Sequence, residues 1–284
     1  MHTAQLTTKQ VARLLSVSEA TVKRWADDGV LKSEKTVGGH RRFGIESIAR
    51  LRRDKNLVSD STSIAKRTKP LPSADHFLRL ILAGDELEAA ATLVEAYLAH
   101  HSLGSLLQTT VTKAMHRLGD LWLKGSVTIA DEHRATRVVL TAIQKLRGVI
   151  LPHEPNGGTA ICCAIEGELH ELAVHLVELI FESEGWHVIN LGANTPLFAL
   201  QEFLIRQRPQ VVCISARTIA DLDRVTAEFA QLRRVANRFA AQIVLGGEAF
   251  HNPDVRGRFP ADFYPGDFRA LSRLAVKLAG GKGD

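Results

Sequence analysis

A glutamate and a histidine lie two residues apart in the loop that follows a predicted strand. The segment reads AIEGELHEL. Its apolar run ends near Ile165 and a helical pattern begins near Glu171, so Glu168 and His170 lie in the loop between them. The imidazole of His170 can offer a ring nitrogen to a metal ion. The Glu168 carboxylate can accept a hydrogen bond from the other ring nitrogen and fix its tautomer. The pair therefore predicts a metal-ligating histidine, with a polar loop histidine as the alternative.

A second group of chemically able residues lies upstream, in LGDLWLKGSVTIADEHRAT. Trp122 ends one predicted helix, and after nine residues Glu132 and His133 open the next. An indole offers a flat apolar lid, whereas a carboxylate and an imidazole bond polar groups. We predict that these three side chains face one cavity and cover a ligand there. Packing into the core is the alternative for Trp122.

The amino-terminal region carries two short helical patterns separated by a brief break. The first begins at Thr8 and ends near Leu15; the second runs from Glu19 to Asp28, with Ser18 placed to cap it. Two short helices joined by such a turn form a helix-turn-helix. The residues of the second helix predicted to reach DNA are Thr21, Lys23 and Arg24.

A predicted hairpin follows these helices. Gly38 and Gly39 form a hairpin-turn signal, and basic residues flank them. A basic hairpin in this position predicts a wing that grips DNA phosphates, which contribute affinity and register rather than sequence choice. A solvated basic face is the alternative. The wing residues predicted to contact DNA are His40, Arg41 and Arg42.

Four regions must position these residues, and the predicted fold is multidomain. Residues 1–55 form the winged helix-turn-helix, and 56–72 form a polar, proline-containing linker. Residues 73–155 have helical apolar spacing and predict a four-helix bundle. Residues 156–284 alternate short apolar runs, interpreted as strands, with amphipathic stretches; the runs are TAICCAI, HVINLGA, VVCISA, QIVLGGE and DFYPG. This alternation predicts an α/β doubly wound, flavodoxin-like parallel sheet. Ligands bind such sheets beyond the carboxyl ends of the strands.

The charge is unevenly distributed along the chain. The first 69 residues hold 15 Lys and Arg against 7 Asp and Glu, a net charge of +8. Since the whole chain is +5, the remainder carries −3, so only the head is suited to a polyanion. We expect a cytoplasmic protein with no membrane contact, because no long apolar run and no signal-peptide layout is present. Cys162, Cys163 and Cys213 fall in strand-like runs and are interpreted as core residues.

The order helix-turn-helix, GVLK and GGHRRF resembles the DNA-binding domain of MerR-type regulators over about residues 5–55. The stretch around His170 resembles the cobalamin-binding domain, whose pattern is Asp/Glu-x-His-x-x-Gly. That resemblance implies that His170 is the lower cobalt ligand and Glu168 its partner. It also implies that the nucleotide tail of cobalamin, displaced from the cobalt by His170, inserts beside the sheet, near Ser215 and near the glycine pair Gly246 and Gly247. Ala173 departs from the pattern, which has glycine there, and its methyl group can crowd the tail.

The Trp-x9-Glu-His pattern resembles the helical cap of B12-dependent photoreceptor regulators. The three regions in this order are similar to the CarH-type family across nearly the whole chain. The resemblance implies a repressor that holds adenosylcobalamin in the dark and then binds operator DNA as a homo-oligomer, either a dimer or a tetramer. In light this oligomer dissociates. Leu123 departs from the family's light-sensing members, which have a histidine at that position able to capture cobalt, so cobalamin binding is more firmly implied than light sensing. His133 is a candidate substitute.

Other functions stay open at this point. Methylcobalamin is the alternative cofactor, and haem or a protein partner is the alternative signal for a regulator. A corrinoid methyl carrier or mutase module fits the body, but 284 residues hold no substrate barrel, and a DNA-binding head has no use on a methyl carrier. We therefore predict that the chain is not an enzyme.

Overall fold

The computed structural model describes residues 5–15, 17–36, 38–44, 47–48, 51, 70–100, 102–150 and 153–280. The chain divides into two compact units, one within Met1–Ser102 and Thr109–Leu151, the other within Leu103–Gln108 and Pro152–Asp284. The predicted linker lies outside the described residues except for residues 70–72. Among the helices that are described, none has the length and apolar character needed to cross a membrane.

The head is a helix-turn-helix with a small antiparallel sheet, as predicted. Ser18 caps the second helix by accepting a hydrogen bond from the backbone N–H of Thr21, and Val22 and Trp25 are buried. The sheet has the strand order β1-β3-β2, in which the first strand was not predicted. The elements are β1 (Gln5–Thr7), α1 (Thr8–Leu14), α2 (Glu19–Asp27), β2 (Ser33–Lys35) and β3 (Arg41–Gly44).

The wing is the hairpin formed by β2 and β3. Gly39 has a φ of +76°, and its N–H donates to the carbonyl of Thr36 at 2.8 Å. This positive φ is the reason for glycine at the turn. The turn sets a register in which Lys35 lies opposite Arg41 and Glu34 lies opposite Arg42.

The bundle follows the predicted helical spacing. Thr128 and Asp131 form a capping box at the start of its longest helix, and Gly84 ends its first helix in a left-handed conformation. One feature was not predicted: a π-helical segment, Leu107–Thr112, precedes the helix that ends at Leu123. The helices are α3 (Ala74–Ala83), α4 (Glu86–His100), α5 (Leu103–Leu106), α6 (Lys113–Leu123) and α7 (Ile129–Arg147).

The second unit contains the predicted parallel sheet, with strand order β5-β4-β6-β7. The strands are β4 (Thr159–Ala164), β5 (His187–Asn190), β6 (Val211–Ser215) and β7 (Gln242–Gly246). The helices are α8 (Leu172–Ser183), α9 (Leu197–Gln207), α10 (Leu222–Arg238), α11 (Pro253–Arg258) and α12 (Phe268–Gly280), with a 3-10 turn at Glu248–His251. The order reverses between β4 and β6, which makes this the switch point where doubly wound sheets bind ligands.

The run DFYPG was predicted as a strand, and this prediction was wrong. Phe263 forms only an isolated parallel bridge to Val244. The preceding Asp262 directs Oδ2 to the backbone N–H of Ile243 at 2.6 Å and to Arg233. Pro265 follows two residues after Phe263 and has no N–H to donate, so the ladder stops.

The cysteines lie in the sheet core, as predicted. Cys162 and Cys163 lie in β4 and Cys213 in β6, and all three are buried with free thiols. Burial raises the pKa of the Cys163 thiol to about 12 and also raises the pKa of Cys162 and Cys213. The thiols therefore stay protonated in the folded protein and do not act as nucleophiles or ligands.

Candidate functional site

The loop between β4 and α8 holds Glu168 and His170 against each other. Oε1 of Glu168 lies 2.6 Å from Nδ1 of His170 and also accepts the His170 backbone N–H at 2.9 Å. The His170 side chain is 63% exposed, whereas that of Glu168 is 5% exposed. The buried Glu168 carboxylate thus holds one side of the His170 imidazole, which is itself exposed. Because the carboxylate accepts at Nδ1, the neutral ring carries its proton there and leaves Nε2 as the ligating nitrogen.

The carboxylate of Glu168 is ionised at neutral pH despite its burial. Burial raises the pKa of Glu168, whereas the hydrogen bonds from the backbone and ring of His170 and from the Arg217 backbone lower it. The hydrogen bonds outweigh burial, so the net pKa lies below the usual range. The bond from Arg217 N–H to Oε2 is 2.9 Å long. Glu168 therefore ties the loop after β4 to the loop after β6, across the switch point of the sheet.

A third loop, which follows β5, supports the same segment. The Asn194 side chain accepts the Gly167 N–H at 2.8 Å, and the Asn194 N–H donates to the Glu168 carbonyl at 2.9 Å. Gly167 and Asn194 both have positive φ, +83° and +53°. Sequence reasoning missed Asn194 and Arg217; the only signal for Asn194 was an asparagine in a turn-like GANTP run, since asparagine tolerates the left-handed region.

The sheet leaves room beside this loop. Ala164, Ser215 and Gly246 are register partners at the carboxyl ends of β4, β6 and β7. Their neighbours in sequence belong to the core that packs against α9 and α10, so this small-residue row (Ala164, Ser215, Gly246) lies on the opposite face, where α8 packs. A Cβ built on Gly246 meets nothing within 4 Å. Gly246, at one end of the row, therefore borders open space, whereas Ala164 at the other end is fully buried.

The second glycine of the pair is required by the backbone. Gly247 has φ +98° and ψ 169°, and a Cβ there would lie 2.2 Å from the carbonyl oxygen of Ala216. The two adjacent glycines therefore differ in role, because only Gly246 borders open space. Ala173, in the first turn of α8, is half-buried.

The set of donor groups distinguishes a bare metal ion from a preformed metal complex. Across the described ranges, no three His, Cys, Asp or Glu residues come together to hold a metal ion. His170 offers a single nitrogen, which is what one axial position of a macrocycle-bound metal needs. The exposed imidazole, its buried carboxylate and the open space at Gly246 are compatible with a cobalamin site.

The bundle places Trp122, Glu132 and His133 at two helix ends, as predicted. Trp122 is 44% exposed and Leu123 is 71% exposed, so packing into the core does not explain the tryptophan. Oε1 of Glu132 accepts the Thr136 hydroxyl at 2.8 Å, and Oε2 lies 3.7 Å from Nε2 of His133. The side chains of Glu132 and His133 thus lie next to each other.

The predicted DNA-reading residues of α2 differ in exposure. Lys23 and Arg24 are exposed. Thr21 is half-buried, and its hydroxyl lies 2.8 Å from that of Ser18 in the helix cap. Thr21 is therefore held in place by the cap, while Lys23 and Arg24 are available to a polyanion.

The wing residues also divide. His40 is exposed and Arg42 is half-buried. The expectation that Arg41 extends toward phosphates is not what the structure shows. The Arg41 guanidinium instead donates to the backbone carbonyl of Lys23 and to the Asp27 carboxylate, both on α2. Sequence reasoning could not find this contact, because it depends on how the wing packs.

Sequence profiles of three domain families match the chain. A helix-turn-helix domain covers residues 6–55, and B12 binding domains cover 73–147 and 158–266. The two B12 binding domains correspond to the bundle and to the parallel sheet. Together with the site geometry, these matches define a cobalamin-dependent DNA-binding regulator rather than an enzyme.

The chain is similar to a transcriptional repressor and to corrinoid proteins. The chain is 27% identical over 264 residues to the HTH-type transcriptional repressor CarA of Myxococcus xanthus, covering 84% of this chain and 85% of the relative. It is 23% identical over 212 residues to trimethylamine corrinoid protein 1 of Methanosarcina acetivorans, covering 73% and 93%. In fold it is similar to the monomethylamine corrinoid protein of Methanosarcina barkeri, with a TM-score of 0.60, 15% identity and coverage of 72% and 97%.

Proposed function

We propose that this regulator is a repressor that binds operator DNA as a homo-oligomer when it holds adenosylcobalamin in the dark and releases DNA in light. The observation that carries the proposal is the Glu168–His170 pair at the sheet's switch point, in a chain whose head carries a basic helix and wing. Repression is supported by the similarity to CarA, a transcriptional repressor. When bound, adenosylcobalamin supplies a cobalt–carbon bond that light can break.

The residues of the second unit divide the work of holding the cofactor. We assign His170 as the lower ligand and Glu168 as the group that fixes its tautomer. We assign Ser215, Gly246 and Gly247, at the carboxyl ends of β6 and β7, to the nucleotide tail, and the open space beside Gly246 supports this assignment. The Arg217 N–H holds the other oxygen of Glu168, which keeps the carboxylate in place beside His170.

The bundle supplies the groups for the upper side of the cofactor. Trp122, near the end of α6, offers exposed apolar surface, and Glu132 with His133, in the first turns of α7, offers polar groups. Apolar surface beside hydrogen-bonding groups suits a nucleoside, which has a flat base and a hydroxylated sugar. This favours the adenosyl form over the methyl form.

DNA binding is assigned to the head. The helix α2 presents the basic side chains of Lys23 and Arg24, with Thr21 nearer its amino end. The wing presents the side chains of His40 and Arg42. A single small head makes few phosphate contacts, so an oligomer that presents several heads binds much more tightly. A ligand that binds the oligomer better than the free subunits shifts the assembly by that difference in affinity.

The proposed domain division is 1–55 for the head, 56–72 for the linker, 73–155 for the cap and 156–284 for the cobalamin domain. The three profile matches fall inside the head, the cap and the cobalamin domain. Gly158 and Thr159 lie at the start of the sheet, close to the last boundary.

The test is size-exclusion chromatography of the full chain with adenosylcobalamin in the dark and after green light. Corrin absorbance is expected to co-elute with an oligomer that dissociates on illumination. His170→Ala should lose most of the retained corrin. His187→Ala is the matched control, because His187 is also exposed but begins β5 at the opposite, amino edge of the sheet.

Each part of the proposal can fail separately. Corrin co-elution without a response to light contradicts the light-driven switch, and Leu123 is then the residue to change to histidine. Unchanged corrin retention in His170→Ala contradicts the axial-ligand assignment. Absence of corrin from the eluted protein contradicts the proposed site as a whole.

A further inference from the structure

Arg41 is the first residue of β3, and its side chain turns back onto α2. Nη1 donates to the backbone carbonyl of Lys23 at 3.1 Å, and Nη2 donates to Oδ1 of Asp27. The Arg41 side chain is 21% exposed, less than the 61% of Asp27. The guanidinium is therefore shared between two acceptors on one helix, an arrangement that its planar fork allows and a lysine ammonium reproduces poorly.

The electrostatics of the wing account for this arrangement. Lys35 lies directly opposite Arg41 in the β2–β3 register, and like charges in opposed positions destabilise a strand pair. Asp27 offsets that repulsion by neutralising the guanidinium. Asp27 is the last residue of α2, so the guanidinium bonded to it lies near the carboxyl end of the helix, where the helix dipole favours a cation. Arg41 thus has its electrostatic partners within the head.

We propose that Arg41 is a positioning residue for DNA binding, which fixes the wing against α2 and makes no phosphate contact itself. The inference rests on the proposed DNA-binding function. It makes the wing and α2 one rigid surface, so that Arg42 on the wing and Lys23 and Arg24 on the helix keep a fixed spacing. Without Arg41 the wing loses its hydrogen bonds to the Lys23 carbonyl and to the Asp27 carboxylate on α2.

Salt dependence separates positioning from phosphate contact. A side chain that neutralises a phosphate releases counterions and adds about 0.9 to the slope of log affinity against log salt. The Arg41 guanidinium already has Asp27 as its counterion, so we expect it to add little to that slope. Arg42, the adjacent arginine on the same strand, is the matched comparison.

The experiment uses the full chain loaded with adenosylcobalamin in the dark and a duplex that the wild-type chain selects from a random pool. Affinity is measured by fluorescence anisotropy at several salt concentrations. Arg41→Ala should lose about tenfold in affinity with an unchanged salt slope. Arg42→Ala should lower the slope by about 0.9. Arg41→Lys should resemble Arg41→Ala, although lysine is a good phosphate ligand.

The sign of the effect at Asp27 is the sharpest test. Asp27→Asn removes a negative charge from a DNA-binding head, so electrostatics alone predicts tighter binding. Positioning through the ion pair predicts weaker binding instead. Asp28→Asn is the control, because it removes the same charge one residue later while Arg41 keeps its pair with Asp27; it should bind DNA as well as or better than the wild type.

The outcomes are distinct. Tighter binding by Asp27→Asn, or a slope that falls by about 0.9 in Arg41→Ala, overturns the inference and makes Arg41 a phosphate contact. Wild-type affinity in both Arg41 variants also overturns it. Thermal unfolding is measured for every variant, and if Arg41→Ala does not fold, Arg41→Lys and Asp27→Asn carry the test. A wild-type chain that selects no duplex refutes the proposed function itself, before any variant is made.

Discussion

Substitution of alanine at Gly246, the last residue of β7, and at Gly247, which follows it, should have opposite effects on folding. Gly247 lies at φ +98° and ψ 169°, a region almost restricted to glycine, and strain there costs about 1–3 kcal/mol. The added Cβ would also lie 2.2 Å from the Ala216 carbonyl oxygen, an overlap that forces a backbone shift costing about 1–3 kcal/mol. Gly247→Ala should therefore lower the free energy of unfolding by roughly 2–6 kcal/mol, a large part of a domain's stability.

Gly246→Ala should not destabilise the protein. Its φ is not positive, and a Cβ there meets nothing within 4 Å. Alanine in place of glycine restricts the unfolded chain and adds about 0.4–1 kcal/mol to stability at a compatible position. If the small-residue row receives the nucleotide tail, the methyl group should cost about 1–3 kcal/mol of binding, or about 5- to 150-fold in affinity for cobalamin.

The stability change in Gly247→Ala is measured by urea unfolding, with hydrogen exchange of the peptides from β4 to β7 as the probe. This probe reports on the second unit alone. Cobalamin affinity is measured by corrin absorbance titration. The reasoning is refuted if Gly247→Ala unfolds at the same urea concentration as the wild type. It is also refuted if Gly246→Ala is destabilised by more than about 1 kcal/mol, because the space beside Gly246 would then be filled.

Three other substitutions test the loop and its surroundings. The pKa of Glu168 is lowered in the folded protein, so the ionised carboxylate stabilises the fold at neutral pH, and this stabilisation is lost as the pH falls toward the folded pKa. The thermal midpoint of Glu168→Gln should therefore vary less with pH than that of the wild type in this acid range. Burial raises the pKa of Glu184, with the His153 interaction opposing, so Glu184→Gln should raise the midpoint at neutral pH by an amount that shrinks as the pH falls; a lower midpoint would show that the His153 interaction dominates. Asn194→Ala should release cobalamin about 3- to 10-fold faster because it frees the Gly167 N–H, whereas Asn194→Asp, which keeps the acceptor, should not; equal rates for the two variants would contradict this role.

The parts of the site that the sequence predicts are those set by local spacing. Glu168 and His170 are two residues apart, so a short loop brings them together whatever surrounds it. Ser18 caps α2 through a residue only three positions away. The apolar runs of β4, β6 and β7 predict buried strands, because helices cover both faces of a parallel sheet and its strands are therefore apolar on both sides.

Contacts between distant segments could not be predicted in the same way. Arg41 and Asp27 are 14 residues apart, and a basic run alone does not show which arginine faces inward. Gly167 and Asn194 are 27 apart and meet only because parallel strands bring their loops to one edge. Phe263 continues an apolar pattern, but the carboxylate before it bonds β7 and Pro265 follows, so tertiary hydrogen bonding overrides the strand propensity.

The buried thiols of the sheet give the protein an internal probe of its own opening. Cys162 and Cys213 are register partners in the centre of the sheet, and burial keeps both protonated. Their side chains lie on the face of the sheet that α8 covers, so an alkylating reagent can reach them only when α8 moves off the sheet, and the labelling rate measures how often this happens. Any ligand bound at the carboxyl edge lowers that rate by the same mass action that stabilises the fold. Thiol labelling can therefore measure occupancy of the site in a crude extract, where corrin absorbance is hidden by other chromophores.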